Sequence, residues 1–199
     1  NGGSDPQIVA SKRVKIWTKN GVVEGVFGHA PIHDRKRSKE TTFETAFLDV
    51  GAKDKEAVLE MGIEVGTVIT FSDETTFIGK DEEFIVGRAL DNRIGGFAIA
   101  EVARLLKEND IVLPFNLYIT NSVQEETGLS GATMITQTIK PDVAIITDVC
   151  HSTDSPAYNP ERQGDFKSGL GGVIDRAPAV HNLLYDIIRK VADKKKIPY

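Results

Sequence analysis

The stretch "FIVGRALDNRIGGFAIAEVARLLKEN", residues 84–109, changes its period halfway along. "FIVGRAL" is short and apolar and reads as a strand. From Asn92 onward, Ile94, Phe97, Ala98, Val102, Leu105 and Leu106 fall on one face of a helix. The same alternation continues downstream. "IVLPFNLYITNS" (111–122) predicts a strand and "SGATMITQTI" (130–139) a helix. "PDVAIITDV" (141–149) predicts a strand with the near-continuous apolar run of a buried sheet. "GLGGVIDR" (169–176) offers a further strand. "PAVHNLLYDIIRKVADKKK" (178–196) gives the clearest helix, with Pro178 in its first turn and Val180, Leu183, Leu184, Ile187, Ile188 and Val191 as its stripe. Alternating strands and helices imply an α/β fold, with a mostly parallel sheet and flanking helices.

Upstream the rhythm differs. "RVKIWTKNGVVEGVFG" (13–28) alternates around Asn20-Gly21, a strong hairpin signal. "TAFLDVGA" and "GTVITFSDETTFIG" add short strands, and "AKDKEAVLEMGI" a helix with Asp54 near its start and Gly62 as its stop. "HDRKRSKE" (33–40) reads as a solvated, charged loop. The division falls at the change of rhythm: residues 1–82 form a small β-rich domain, and residues 83–199 a partial α/β domain.

The 199 residues are 40% hydrophobic and 27% charged, with a net charge of −5 and a pI near 5.4. That balance argues against a nucleic-acid partner held by phosphate neutralisation. No apolar run approaches the ~20 residues that span a bilayer, so no membrane role is expected. The single cysteine, Cys150, excludes an internal disulfide and suits a cytoplasmic location. Asn1 is not an initiator methionine, and the chain reads as the middle of a longer protein.

Acidic residues fall at the carboxyl ends of three expected strands. Asp91 follows "FIVGRAL", Glu125 and Glu126 follow "LPFNLYITNS", and Asp148 closes "DVAIITD". In open α/β sheets that edge binds ligands. Taken singly, Asp91 reads as a helix N-cap, the glutamates as solvated loop acids and Asp148 as a turn cap. Taken together they predict a metal or acid–base site, because clustered carboxylates oppose one another's ionisation unless a cation offsets them. His151 reads as a substrate-contacting or hydrogen-bonded residue beside Asp148, and Cys150 as a small buried residue. His29 and His33 read as loop residues, and His181 as a surface position on the last helix. Ser122 and Ser130 lie in no nucleophile pattern.

"GRALDNRIGG", "SVQEETGLSGA" and "AIITDVCHSTDSP", in that order, resemble the tetrahedral, glutamyl-type aminopeptidases, which are co-catalytic dizinc exopeptidases. "GGSDPQ", "PIH" and "LDVGAKDKEA" are similar to that family's inserted β domain. The resemblance implies a dizinc-exopeptidase-like fold and a metal-dependent aminopeptidase. Glu125 would be its general base. Asp91 would bridge two divalent ions, zinc or cobalt, with Glu126 and Asp148 as terminal ligands. It further implies peptide substrates, and a homo-oligomer of dimers assembling into a dodecamer through residues 1–82. The family's two histidine ligands have no match in these 199 residues, so the isolated polypeptide is expected to be inactive. A related dizinc deacylase or dipeptidase, and a non-catalytic assembly module, are the alternatives.

Overall fold

The computed structural model describes residues 5–31, 33 and 41–199. Of the charged run 33–40, all but His33 lies outside the described residues. The chain divides into two compact units, Asn1–Ile146 and Thr147–Tyr199.

The first unit begins with an antiparallel sheet of four strands, β1 (Arg13–Thr18), β2 (Gly21–Gly28), β3 (Phe47–Asp49) and β4 (Val68–Phe71), in the order β3-β2-β1-β4. The expected hairpin is present. Thr18 pairs with Gly21, and the Thr18 hydroxyl donates to the Gly21 carbonyl at 2.8 Å while accepting from the Asn20 N–H at 3.1 Å. Gly21 has φ +121°, a conformation that favours glycine. Alternation on β1 turns Val14 and Ile16 inward, where with Val9 they are fully buried, and turns Arg13 and Trp17 outward. Phe27 and Phe71 meet on the inner face, with ring centroids 6.3 Å apart. On the outer face the Trp17 indole N–H donates to the Thr70 hydroxyl at 2.9 Å.

Helix α1 (Lys55–Glu60) is capped as the sequence indicates, the Asp54 carboxylate accepting from Ala57 N–H at 2.9 Å. Gly62 ends it with φ +81°. A Cβ on Gly62 would lie 2.9 Å from Asn20 Nδ2, so the residue also lets the helix end approach the hairpin loop. Strands β5 (Thr76–Ile78) and β6 (Phe84–Val86) form a separate antiparallel hairpin, and its ladder joins residues on either side of position 82. Helices α2 (Leu90–Glu108) and α3 (Ser130–Ile139) follow. Arg104 of α2 forms ion pairs with Glu101 and Glu108.

The second unit holds α4 (Pro160–Gln163) and α5 (Asn182–Lys195). No helix of the described residues is long and apolar enough to cross a membrane.

The chain is thus a mixed α/β protein, and the described residues depart from the expectations in three respects. Among the described residues every ladder is antiparallel, so the expected parallel sheet is not seen. Residues 111–122, 141–149 and 169–176 carry no strand. Their apolar side chains face solvent, Val112 at 93%, Ile145 at 70% and Ile146 at 86% exposure. An apolar run signals a preference for burial, but a strand exists only where a neighbour completes its ladder. Finally, α5 starts at Asn182, so Pro178 and Val180 precede it and His181 occupies the cap position, with no side-chain capping bond.

Candidate active-site carboxylates

Asp91 lies in the irregular entrance to α2. Ala89 holds the cap position in the left-handed region, with φ 54°, and makes no side-chain cap. Asp91 (φ −81°, ψ 110°) and Asn92 (φ −117°, ψ 53°) depart from helical geometry, and the peptide between them is cis. The regular helix is capped from Asn92, whose side-chain oxygen accepts from Gly95 N–H at 2.9 Å. Gly95 is buried, and a Cβ there would sit 2.4 Å from Asn92 Oδ1. The N-cap reading of Asp91 is therefore corrected. Its neighbour does the capping, and the Asp91 carboxylate is exposed with no hydrogen bond among the described residues.

Glu125 and Glu126 occupy a tight loop ahead of α3. Gln124 has φ 59° and Leu129 φ 61°, two left-handed turns that frame the pair. The Glu125 carbonyl accepts from the N–H groups of Gly128 and Leu129, each at 3.1 Å. The loop closes on itself where Gly131 N–H donates to the Val123 carbonyl at 3.0 Å. A Cβ on Gly131 would come within 2.2 Å of that oxygen, so only glycine fits. Both carboxylates are exposed. Beside them lies an open groove of about 340 Å³ lined by Ser122, Val123, Gln124, Ser130, Met134 and Ile135.

In the second unit, Asp148 is exposed and accepts from Val149 N–H at 2.8 Å through Oδ1. Cys150 is exposed, against the expectation of burial. His151 stacks on Tyr158, centroids 5.2 Å apart at 28°. A clasp follows directly. Thr153 is the buried polar residue of this unit: its N–H donates to the Phe166 carbonyl at 2.7 Å, and its hydroxyl accepts from Phe166 N–H at 2.9 Å. Asp154 accepts from Ser168 N–H and from the Ser152 hydroxyl, each at 2.9 Å. Lys167 stands 3.3 Å from Asp154 and 3.1 Å from Asp165. The Ser168 N–H first, and then the Ser152 hydroxyl, hold the Asp154 carboxyl below its ordinary value.

Among the described residues, no three histidine, cysteine, aspartate or glutamate side chains gather so as to hold a metal ion. As placed, the expected ligands Asp91, Glu126 and Asp148 supply only hard oxygen donors and do not fit a closed zinc site, which also draws on nitrogen or sulfur. His29 is engaged elsewhere: Nε2 lies 3.1 Å from the Thr41 hydroxyl and Nδ1 3.0 Å from the Ala30 carbonyl.

The chain matches the family described as M42 glutamyl aminopeptidase over residues 2–199. It is 32% identical to the lysyl aminopeptidase of Pyrococcus furiosus over 203 aligned positions, which cover 99% of this chain and 56% of that protein. The crystal structure of the TET aminopeptidase from the marine-sediment archaeon Thaumarchaeota archaeon SCGC AB-539-E09 aligns with a TM-score of 0.90 at 31% identity, over 99% of this chain and 56% of that one. The Pyrococcus horikoshii TET1 peptidase, which assembles into a tetrahedron or a large octahedral shell, aligns at 0.75 and 26% identity, over 99% and 58%. The chain therefore spans about half the length of the relatives it matches.

Proposed function

The chain belongs to the M42 glutamyl aminopeptidase family, and from that premise we infer that the full-length protein is a metal-dependent aminopeptidase releasing amino-terminal residues from peptides. The observation that carries this reading is the match of nearly the whole chain to aminopeptidases, with the acidic motifs falling inside it. In the proposed reaction Glu125 takes the proton of the water that attacks the peptide carbonyl. The Glu125–Glu126 loop suits a base, since both carboxylates are exposed and the loop is fixed by its own backbone bonds rather than by their side chains. Asp91, Glu126 and Asp148 hold two divalent ions, zinc or cobalt, in the full-length protein, together with donors beyond these residues. His151 contacts the substrate.

Residues 111–122 and 141–149 become strands of the parallel sheet once their ladder neighbours are present, as their exposed apolar side chains support. Residues 1–82 serve as the domain through which copies associate, and the assembly of the horikoshii relative supports a homo-oligomer.

The test uses the full-length protein, loaded with zinc or cobalt and assayed for p-nitroaniline release from amino-acyl p-nitroanilides. Glu125→Gln is expected to lower kcat by about 10²–10⁴, the usual worth of a positioned base, with metal content unchanged. Preference for acylated amino acids over free amino termini would favour the deacylase alternative. No turnover of any such substrate by metal-loaded protein would refute the reading.

A further inference from the structure

Downstream of Asp148 the second unit contains a loop closed by hydrogen bonds. Thr153 and Asp154 are bonded to residues 165–168 as described, closing the loop at its base. Inside it, Asn159 caps α4 through a bond from Glu161 N–H at 2.9 Å, and its own N–H donates to Gln163 Oε1 at 2.8 Å. Tyr158 N–H donates to the Ser155 carbonyl at 3.1 Å. Tyr158 is thus held on both sides along the chain, and its half-buried ring stacks on His151 with the planes 28° apart. His151 itself is exposed and forms no hydrogen bond among the described residues, so its position is set by the stack. One face of the imidazole covers Tyr158, and His151 is exposed despite the stack. His151 is three residues from Asp148, a separation the backbone spans in at most about 11 Å.

We propose that the His151–Tyr158 pair is a stacking wall that recognises a planar aromatic side chain on the amino-terminal residue of the substrate, with Thr153 as the positioning residue that holds the wall. The proposal rests on the aminopeptidase reading and deepens it. An aminopeptidase that holds its substrate's first residue at Asp148 places that residue's side chain within reach of His151. A third ring on the imidazole face away from Tyr158 would extend the stack at the ordinary centroid spacing of about 4.5–7 Å. Exposed rings gain little from stacking on each other alone, whereas a ring fixed in advance loses little freedom when a ligand arrives.

The test measures binding of phenylalaninamide and alaninamide to the full-length, metal-loaded protein by calorimetry, together with kcat/KM for the two p-nitroanilides. The wild type is expected to favour the aromatic ligand. His151→Ala and Tyr158→Ala are expected to lower that preference about three- to tenfold, Tyr158→Phe to retain it, and metal content to remain unchanged in all three. Thr153→Val is expected to weaken the preference less, through loosening of the loop. No aromatic preference in the wild type, or a preference that survives His151→Ala, overturns the proposal. So does an equal loss for both ligands, which is what a purely structural stack would give. If neither p-nitroanilide is hydrolysed, the aminopeptidase reading fails, while the ratio of binding constants still decides the role of the wall.

Discussion

The sheet of residues 13–71 and the segments of residues 111–149 carry similar densities of apolar residues, yet only the first holds fully buried ones, Val14 and Ile16. Around β1 each inward residue has a ladder neighbour on both sides: Ile16 faces Val23 on β2 and Ile69 on β4, and it is fully buried. Ile146 sits in a run at least as apolar and is 86% exposed. The difference is one of partners, not of composition. The first region finds its neighbours within about sixty residues, joined by a two-residue turn and by the stretches 29–46 and 50–67, the latter holding α1. On the proposed reading the second needs parallel neighbours, which only long crossover connections supply. Segments of this kind carry the apolar pattern of strands, yet among the described residues they form none.

The widest gap between the two regions is expected in core truncations. Ile16→Ala should cost about 2–5 kcal/mol, because it leaves a cavity in a closed face, whereas Ile146→Ala in the 199-residue chain should stay within about 0.5 kcal/mol. Urea unfolding followed by Trp17 fluorescence and by circular dichroism measures both. An equal loss at Ile146 would break the comparison, and a large loss appearing only in the full-length protein would sharpen it.

A smaller effect separates the helix starts. Asp54→Ala removes a formed cap on α1 and should cost about 1 kcal/mol, while His181→Ala at the start of α5 should cost less than about 0.5 kcal/mol, since no capping bond is lost. Thermal unfolding of the two variants distinguishes them.

The smallest expected effect is the pH response of the Thr153 clasp. The Asp154 carboxyl titrates below its ordinary value, so its contribution is complete above the ordinary aspartate pKa of about 3.9 and is lost as pH falls through the depressed folded value. Lys167 is raised by Asp165 and then Asp154, so its contribution is complete below the ordinary lysine pKa and is lost as pH rises through the raised value. The Ser168 amide resonance should therefore stay flat from about pH 5 to 9. A midpoint inside that window would contradict this assignment of the clasp to Asp154 and Lys167.

What the sequence revealed follows the same division. Local chemistry was legible: Asn20-Gly21 marked the hairpin, Asp54 and Gly62 bounded α1, and the apolar spacing of residues 130–139 matched α3. Pro178 misled because proline is as compatible with the turn before a helix as with its first turn, and α5 begins four residues later. Asp91 looked like a cap because acids before helices usually are, but the adjacent Asn92 fits Gly95 N–H instead. The His151–Tyr158 stack and the Thr153 clasp were missed, since they join residues seven and thirteen apart across an irregular loop that no periodicity encodes. Asn159-Pro160, a cap followed by a first-turn proline, was the available signal for α4.

The central claim is that Asp91, Glu126 and Asp148 bind metal only in the company of the rest of the protein. Elemental analysis after dialysis of the 199-residue chain and of the full-length protein, each equilibrated with zinc, tests it directly. The account expects less than one retained ion per isolated chain and two per full-length subunit. Two tightly held ions in the isolated chain, or none in the folded full-length protein, would contradict it.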